Sequence, residues 1–134
     1  MYLIDTNIFL EILLDQEKAD DAERLLKTLQ GKMWISDFSL FSIGIILFRR
    51  KEPTKLRAFL DDLKRGGFRL VRVDFDDMPH LVEVSQRFRL DFDDAYQYVV
   101  AEKYNLSIVS FDGDFDRTDR RRITPDDLLK GKGL

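Results

Sequence analysis

The chain has 134 residues, 22 Lys and Arg against 25 Asp and Glu, and a formal net charge of −3. That is the size of one ordinary domain, residues 1–134, large enough to bury a core without disulfides or structural zinc. With no cysteine and a single histidine, His80, thiolate metal sites, His-rich metal centres and Cys–His nucleophile pairs are excluded.

In chain order, Tyr2-Leu3-Ile4 is a short apolar run that stops at Asp5 and reads as a buried strand. Asn7 to Leu14 reads as a short helix capped by Asp5 or Thr6. Ala22, Leu25, Leu26 and Leu29 repeat with helical spacing, so a second helix runs from about Lys18 to Gln30, with Gly31 just past its end. Met33-Trp34-Ile35 is a second apolar strand, and Ser36 and Asp37 cap the helix that follows at once. That helix, Phe38 to Arg49, is apolar on nearly every side and is expected to be central. Pro53 opens another, with Leu56, Phe59, Leu60 and Leu63 on one face and Gly66-Gly67 at its end.

Phe68 to Val73 alternates apolar residues with arginines, the pattern of a half-exposed or edge strand. Met78 to Phe88 and Asp91 to Tyr104 read as helices, and Leu106 to Ser110 as a strand. A polar turn, Phe111-Asp112-Gly113-Asp114, follows it. Arg122-Ile123 is a short strand, and Thr124-Pro125 caps a last helix over Asp126 to Leu129. Strands and helices alternate throughout. The fold class is therefore α/β: a three-layer α/β/α sandwich around a small, mostly parallel sheet.

No apolar run approaches the ~18 residues of a membrane span. Met1-Tyr2-Leu3-Ile4-Asp5 lacks the basic start of a signal peptide. A cytoplasmic protein without membrane contact is the expectation.

In an open parallel sheet, ligands bind outside the carboxyl ends of the strands. Asp5 follows the first strand, Ser36 and Asp37 the second, and Ser110 and Asp112 the strand from Leu106. Asp91, Asp93 and Asp94 open the helix just before that strand, where the positive end of the helix dipole stabilises carboxylates. The acidic residues are lopsided, 19 Asp against 6 Glu, although Asp also serves as an ordinary helix cap. Carboxylates that converge must share protons or hold a hard cation. An all-oxygen ligand set suits Mg²⁺ or Mn²⁺, not zinc. Metal-assisted phosphoryl chemistry follows as the reaction class.

These residues also carry a resemblance. Tyr2-Leu3-Ile4-Asp5-Thr6-Asn7 followed by Ile8-Phe9-Leu10 resembles the opening of a PIN domain. Asp94-Ala95 opening a helix, then a strand and Ser110-Phe111-Asp112-Gly113-Asp114-Phe115, resembles the family's second half. The order and spacing cover nearly the whole chain and are most similar to VapC-like toxins of toxin–antitoxin pairs. The resemblance implies a Mg²⁺- or Mn²⁺-dependent endoribonuclease acting on RNA, with a small antitoxin partner and a homodimeric state. It implies Asp5, Asp94 and Asp112 as metal-binding, catalytic acids, with Ser110, Asn7 and Thr6 supporting them.

One position departs from the pattern. Ser42 stands where the family usually carries a helix Glu. Asp37, about 500° of helix turn earlier, and Asp93 are the acids near enough to replace it. The alternative to a working nuclease is a weakened PIN fold that binds RNA or protein without turnover. A haloacid-dehalogenase-like phosphatase also places an Asp after its first strand, but needs a second Asp where this chain has Asn7.

Two basic runs, Arg49-Arg50-Lys51 with Lys55 and Arg57, and Arg117 with Arg120 to Arg122, are either phosphate contacts or solvated patches. Tyr96 and Tyr98 are either base-stacking or packing residues, Trp34 a core residue, and His80 a surface one.

Overall fold

Short apolar runs form strands here because the sheet is covered on both sides. In the computed structural model, which describes residues 1–131, five strands lie in the order β3-β2-β1-β4-β5. They are β1 (Tyr2–Ile4), β2 (Met33–Ser36), β3 (Arg69–Val71), β4 (Ser107–Val109) and β5 (Arg122–Ile123). Every neighbouring pair is parallel. The helices are α1 (Thr6–Leu13), α2 (Ala19–Thr28), α3 (Asp37–Arg49), α4 (Pro53–Arg65), α5 (Met78–Phe88), α6 (Phe92–Tyr104) and α7 (Pro125–Leu129).

Register decides which face each side chain takes. Leu3 lies beside Ile108, and Ile4 beside Val109. Leu3 and Ile108 join one core with Leu81, Val84 and Val100 of α5 and α6. Ile4 and Val109 join the other with Ile8, Leu25, Ile43, Phe59 and Leu128, from α1 to α4 and α7. Each fully buried Leu or Ile adds about 1.5–3 kcal/mol over its exposed state. The three-layer sandwich expected from the sequence is the one observed.

The chain leaves β1 toward β2 on one side and reaches β4 on the other. The strand order therefore reverses between β1 and β4, and such a switch point opens a crevice at the strands' carboxyl ends. Asp5 and Ser110 stand directly at that crevice.

Two expectations need correction. The helix that is buried all round is α6, whose residues Asp94 to Ala101 are all buried. Helix α3 is not central. It turns Ile43 and Leu47 inward but leaves Phe41, Ile45 and Phe48 53–62% exposed. Its second apolar face has no cover within the described residues, so apolarity on all sides did not mean burial. The strand expected over Phe68 to Val73 forms only at Arg69–Val71, at the sheet edge, where one neighbour alone fixes it. A 3₁₀ turn at Phe75–Asp77, closed by a capping box from Asp74, was not foreseen.

Candidate metal centre

Asp5 ends β1 and caps α1, and its backbone N–H donates to the Val109 carbonyl of β4 at 3.0 Å. Its carboxylate is buried, and donors meet both oxygens. Oδ1 accepts from the Thr6 N–H at 2.8 Å and from Gln97 Nε2 at 2.9 Å. Oδ2 accepts from Ser110 Oγ at 2.6 Å and from Asn7 Nδ2 at 3.5 Å. Burial pushes the Asp5 carboxyl above the ordinary Asp range, Gln97, Ser110 and Thr6 pull it back, and the Asp112 charge adds to the rise.

Asn7 and Ser110 bind the two halves of the site. Asn7 Nδ2 donates to Ser110 Oγ at 3.1 Å, and Asn7 Oδ1 accepts the Phe111 N–H at 3.3 Å. Ser110 Oγ also accepts the Asp112 N–H at 2.9 Å. One hydroxyl therefore orients Asp5 and anchors the backbone of Asp112.

Asp112 starts a 3₁₀ turn, Gly113–Arg117, and its Oδ1 caps that turn by accepting the Asp114 N–H at 2.8 Å. Asp94 lies in the first turn of α6 and is buried. One carboxylate oxygen each from Asp94, Asp112 and Asp114 lie within 4.8 Å of one another. At that spacing two like charges repel by about 3 kcal/mol at an effective dielectric constant near 20. The Asp94 carboxyl is accordingly pushed up to about 8, first by burial, then by the charges of Asp112, Asp93 and Asp5. Asp5, Asp94, Asp112 and Asp93 line one crevice of about 220 Å³, with Thr6, Asn7, Phe38 and Gln97. Repelling carboxylates with free oxygens, and no nitrogen or sulfur donor, fit a hard divalent cation.

The acids named as substitutes for the missing Glu are placed differently. Asp93 reaches the crevice rim. Asp37 does not line the crevice. Its Oδ1 accepts the Tyr96 hydroxyl at 2.6 Å. That contact and burial push the Tyr96 phenol up to about 12. Ser42 is half-buried on α3, one turn beyond Ser39, and does not line the crevice either.

Three residues of the site, Gln97, Ser39 and Asp114, were not singled out from sequence. Gln97 is buried. Besides Asp5, its Nε2 donates to Ser39 Oγ at 2.9 Å, while its Oε1 accepts from Ser36 Oγ at 2.7 Å. Ser39 Oγ in turn shares a 2.7 Å hydrogen bond with Thr6 Oγ1. Buried Ser36, Ser39 and Gln97 thus form one polar network behind Asp5. The available signal was spacing: Gln97 is three residues after Asp94, on the same helix face. Asp114 is the third, and its Oδ1 also accepts from Arg117 Nη1 at 3.0 Å.

The second basic run is largely occupied by structure. Arg117 donates to the Phe88 and Arg89 carbonyls at 3.1 and 2.6 Å, closing the end of α5. Arg120 donates to Asn105 Oδ1 and the Leu106 carbonyl. Arg122 pairs with Asp116 at 3.4 Å and reaches the Ser110 carbonyl at 3.4 Å. Tyr98 packs against Phe88 in the core, and exposed His80 bonds Glu102 at 2.6 Å.

The PIN domain family matches residues 2–121. No curated protein sequence matches the chain. Among solved structures, a toxin–antitoxin complex from Klebsiella pneumoniae superposes with a TM-score of 0.75 at 20% identity, over 93% of this chain and 98% of that one. VapC20 of Mycobacterium tuberculosis, described as a Sarcin-Ricin loop cleaving toxin, gives 0.77 at 20% identity over 92% and 98%. VapBC2 from Rickettsia felis, bound to a DNA fragment from its promoter, gives 0.72 at 18% over 92% and 96%. At these identities the likeness establishes a shared fold.

Proposed function

The chain belongs to the PIN domain family, and from that premise we propose that it is a Mg²⁺- or Mn²⁺-dependent endoribonuclease, the toxin of a toxin–antitoxin pair. The observation that carries this reading is the meeting of Asp5, Asp94 and Asp112, from three distant segments, in one crevice at the sheet's switch point. Three of the similar structures have titles naming a toxin–antitoxin complex, a cleaving toxin and a promoter-bound pair, which suits that role.

Asp94 and Asp112, with Asp5 behind them and Asp114 at the rim, are the residues that would hold the cation. When bound, a divalent cation supplies Lewis-acid stabilisation of the charge that develops on a phosphodiester during hydrolysis. Asp5 stays oriented because Gln97, Thr6, Ser110 and Asn7 fix both its oxygens. Burial and the neighbouring carboxylates raise the Asp94 carboxyl to about 8, so a proton and a cation would compete for it near neutral pH. Ser110 holds the backbone of Asp112 at a fixed distance from Asp5.

Calorimetry with Mn²⁺ on wild type and Asp5→Asn at neutral pH, followed by RNA cleavage, tests the reading. Cation binding and cleavage, both lost in the variant, are expected. Wild-type protein that binds Mn²⁺ no better than Asp5→Asn and cuts no RNA would overturn it.

A second reading has one observation in its favour: neither Ser42 nor Asp37 supplies a charge to the crevice. A weakened PIN fold would then bind RNA or protein without turnover. Turnover separates the two. Wild-type protein that binds RNA in saturating Mn²⁺ but releases no cleavage product is what the second reading expects. Cleavage by wild type that is lost in Asp5→Asn sinks it.

The uncovered stripe of Phe41, Ile45 and Phe48 on α3 is the surface we assign to a second copy, giving a homodimer. A small antitoxin completes the assembly. No helix among the described residues is long and apolar enough to cross a membrane. A cytoplasmic setting, where RNA is at hand, is part of the same proposal.

A further inference from the structure

Beside the carboxylate crevice lies a group of three rings that the metal chemistry does not use. Phe38, in the first turn of α3, lines the crevice with Asp94 and Asp112. Its ring centroid is 6.2 Å from Phe92 and 5.6 Å from Tyr96, and Phe92 and Tyr96 are 6.1 Å apart. Tyr96 is buried and backs the other two. Its hydroxyl donates to Asp37 and accepts the Val73 N–H at 3.3 Å, so the tip of the backing ring is fixed between the start of α3 and the segment after β3. Phe92 is 53% exposed at the start of α6, two residues from Asp94. A ring that served only to fill the core would be covered.

We propose that Phe92 and Phe38 form a stacking subsite for an unpaired nucleobase next to the scissile phosphate, a proposal that rests on the ribonuclease reading above. Three features point to a base. The ledge is continuous with the crevice through Phe38, so a strand whose phosphate enters the crevice lays a neighbouring nucleotide across the rings. Asp91 and Asp93 flank Phe92 and disfavour a phosphate there, which leaves the uncharged base to meet the ring. The ledge is also backed by the buried Tyr96 ring, which its hydroxyl fixes before any ligand arrives. The base must be unpaired, because in a duplex both its faces are already stacked on neighbours. The stack itself depends little on which base is present, since every base has a π-face. In this account Asp37 is a positioning residue, holding Tyr96 behind the ledge.

The test is fluorescence anisotropy with a short, unstructured, end-labelled RNA in Mn²⁺, read before cleavage proceeds, on wild type, Phe92→Leu and Phe92→Trp. Phe92 is exposed, so neither change removes a core residue. Phe92→Leu is expected to weaken single-strand binding by roughly 5- to 150-fold, while Phe92→Trp keeps it. The same strand annealed to its complement is expected to bind weakly and equally to all three proteins. Mn²⁺ affinity by calorimetry is expected to be the same in all three. Equal single-strand binding by Phe92→Leu and wild type overturns the proposal and leaves the ring to a protein partner. So does a wild-type preference for duplex. So does a parallel loss of Mn²⁺ affinity in Phe92→Leu. Phe92-dependent binding without any cleavage would instead overturn the ribonuclease reading and leave the ledge standing.

Discussion

The two sides of the carboxylate crevice are built on opposite principles. On the β1 side, Asp5 receives two donors on each oxygen and is locked by neutral groups. On the other side, Asp94, Asp112 and Asp114 crowd together, and the only cationic partner there among the described residues is Arg117, on Asp114. Asp5 is ordered by the fold itself. The crowded acids carry the repulsion that the proposed cation would relieve. The lesson is that a buried carboxylate can be finished by hydrogen bonds, whereas a cluster of them keeps a repulsion that only protons or an added positive charge can lower.

The comparison can be broken most severely on the crowded side. Asp112→Asn removes a charge and an oxygen ligand together, and Mn²⁺ affinity is expected to fall at least about 100-fold, with the fold intact by circular dichroism. An unchanged affinity would show that the cluster is ornamental. On the ordered side, Ser110→Ala strips a donor from Asp5 and unpairs the Asp112 N–H. Mn²⁺ affinity is expected to drop roughly 10- to 100-fold, the range for outer partners of metal ligands. Stability is expected to fall by about 1–3 kcal/mol in urea unfolding.

A gentler test uses pH. Asp94 is raised from its ordinary value of 3.8 to about 8 in the folded, cation-free protein. Between those values the folded state binds more protons than the unfolded one, so stability contributed by protonated Asp94 is present at low pH and declines as pH rises toward 8. The cation competes with that proton. Mn²⁺ affinity should therefore climb with pH and level off above about 8, and added Mn²⁺ should flatten the fall in Tm. A pH-independent affinity over that window contradicts the protonated Asp94. The smallest effect belongs to the ledge behind the site. Tyr96→Phe removes the hydroxyl between Asp37 and Val73 and is expected to cost about 1 kcal/mol by thermal unfolding, with Mn²⁺ binding unchanged.

The strand ends on both sides of the crevice were far more legible in the sequence than the helix faces behind them. Asp5, Ser110 and Asp112 could be found because strand ends in a parallel sheet are few and the apolar runs before them are plain. The alternation of strands and helices gave the layers for the same reason. Gln97 and Ser39 could not be placed. Their roles depend on which faces of α3 and α6 meet across β1, a relation 58 residues apart in the chain. The arginine run from Arg117 had no local sign that its guanidinium groups would close the end of α5. Apolar periodicity also misplaced α3, because it records which faces shun water without saying whether the same chain covers them.

The hydrogen bond between Ser110 and Asp5 joins residues 105 positions apart. Contacts of such long range form late, since the intervening chain must give up its freedom before they are gained. During vectorial synthesis, N-terminal first, β1 and α1 emerge long before β4 exists to complete them. A ribosome making this chain therefore carries a nascent Asp5 with no crevice around it, and the acidic centre comes into being only after nearly the whole domain has left the exit tunnel.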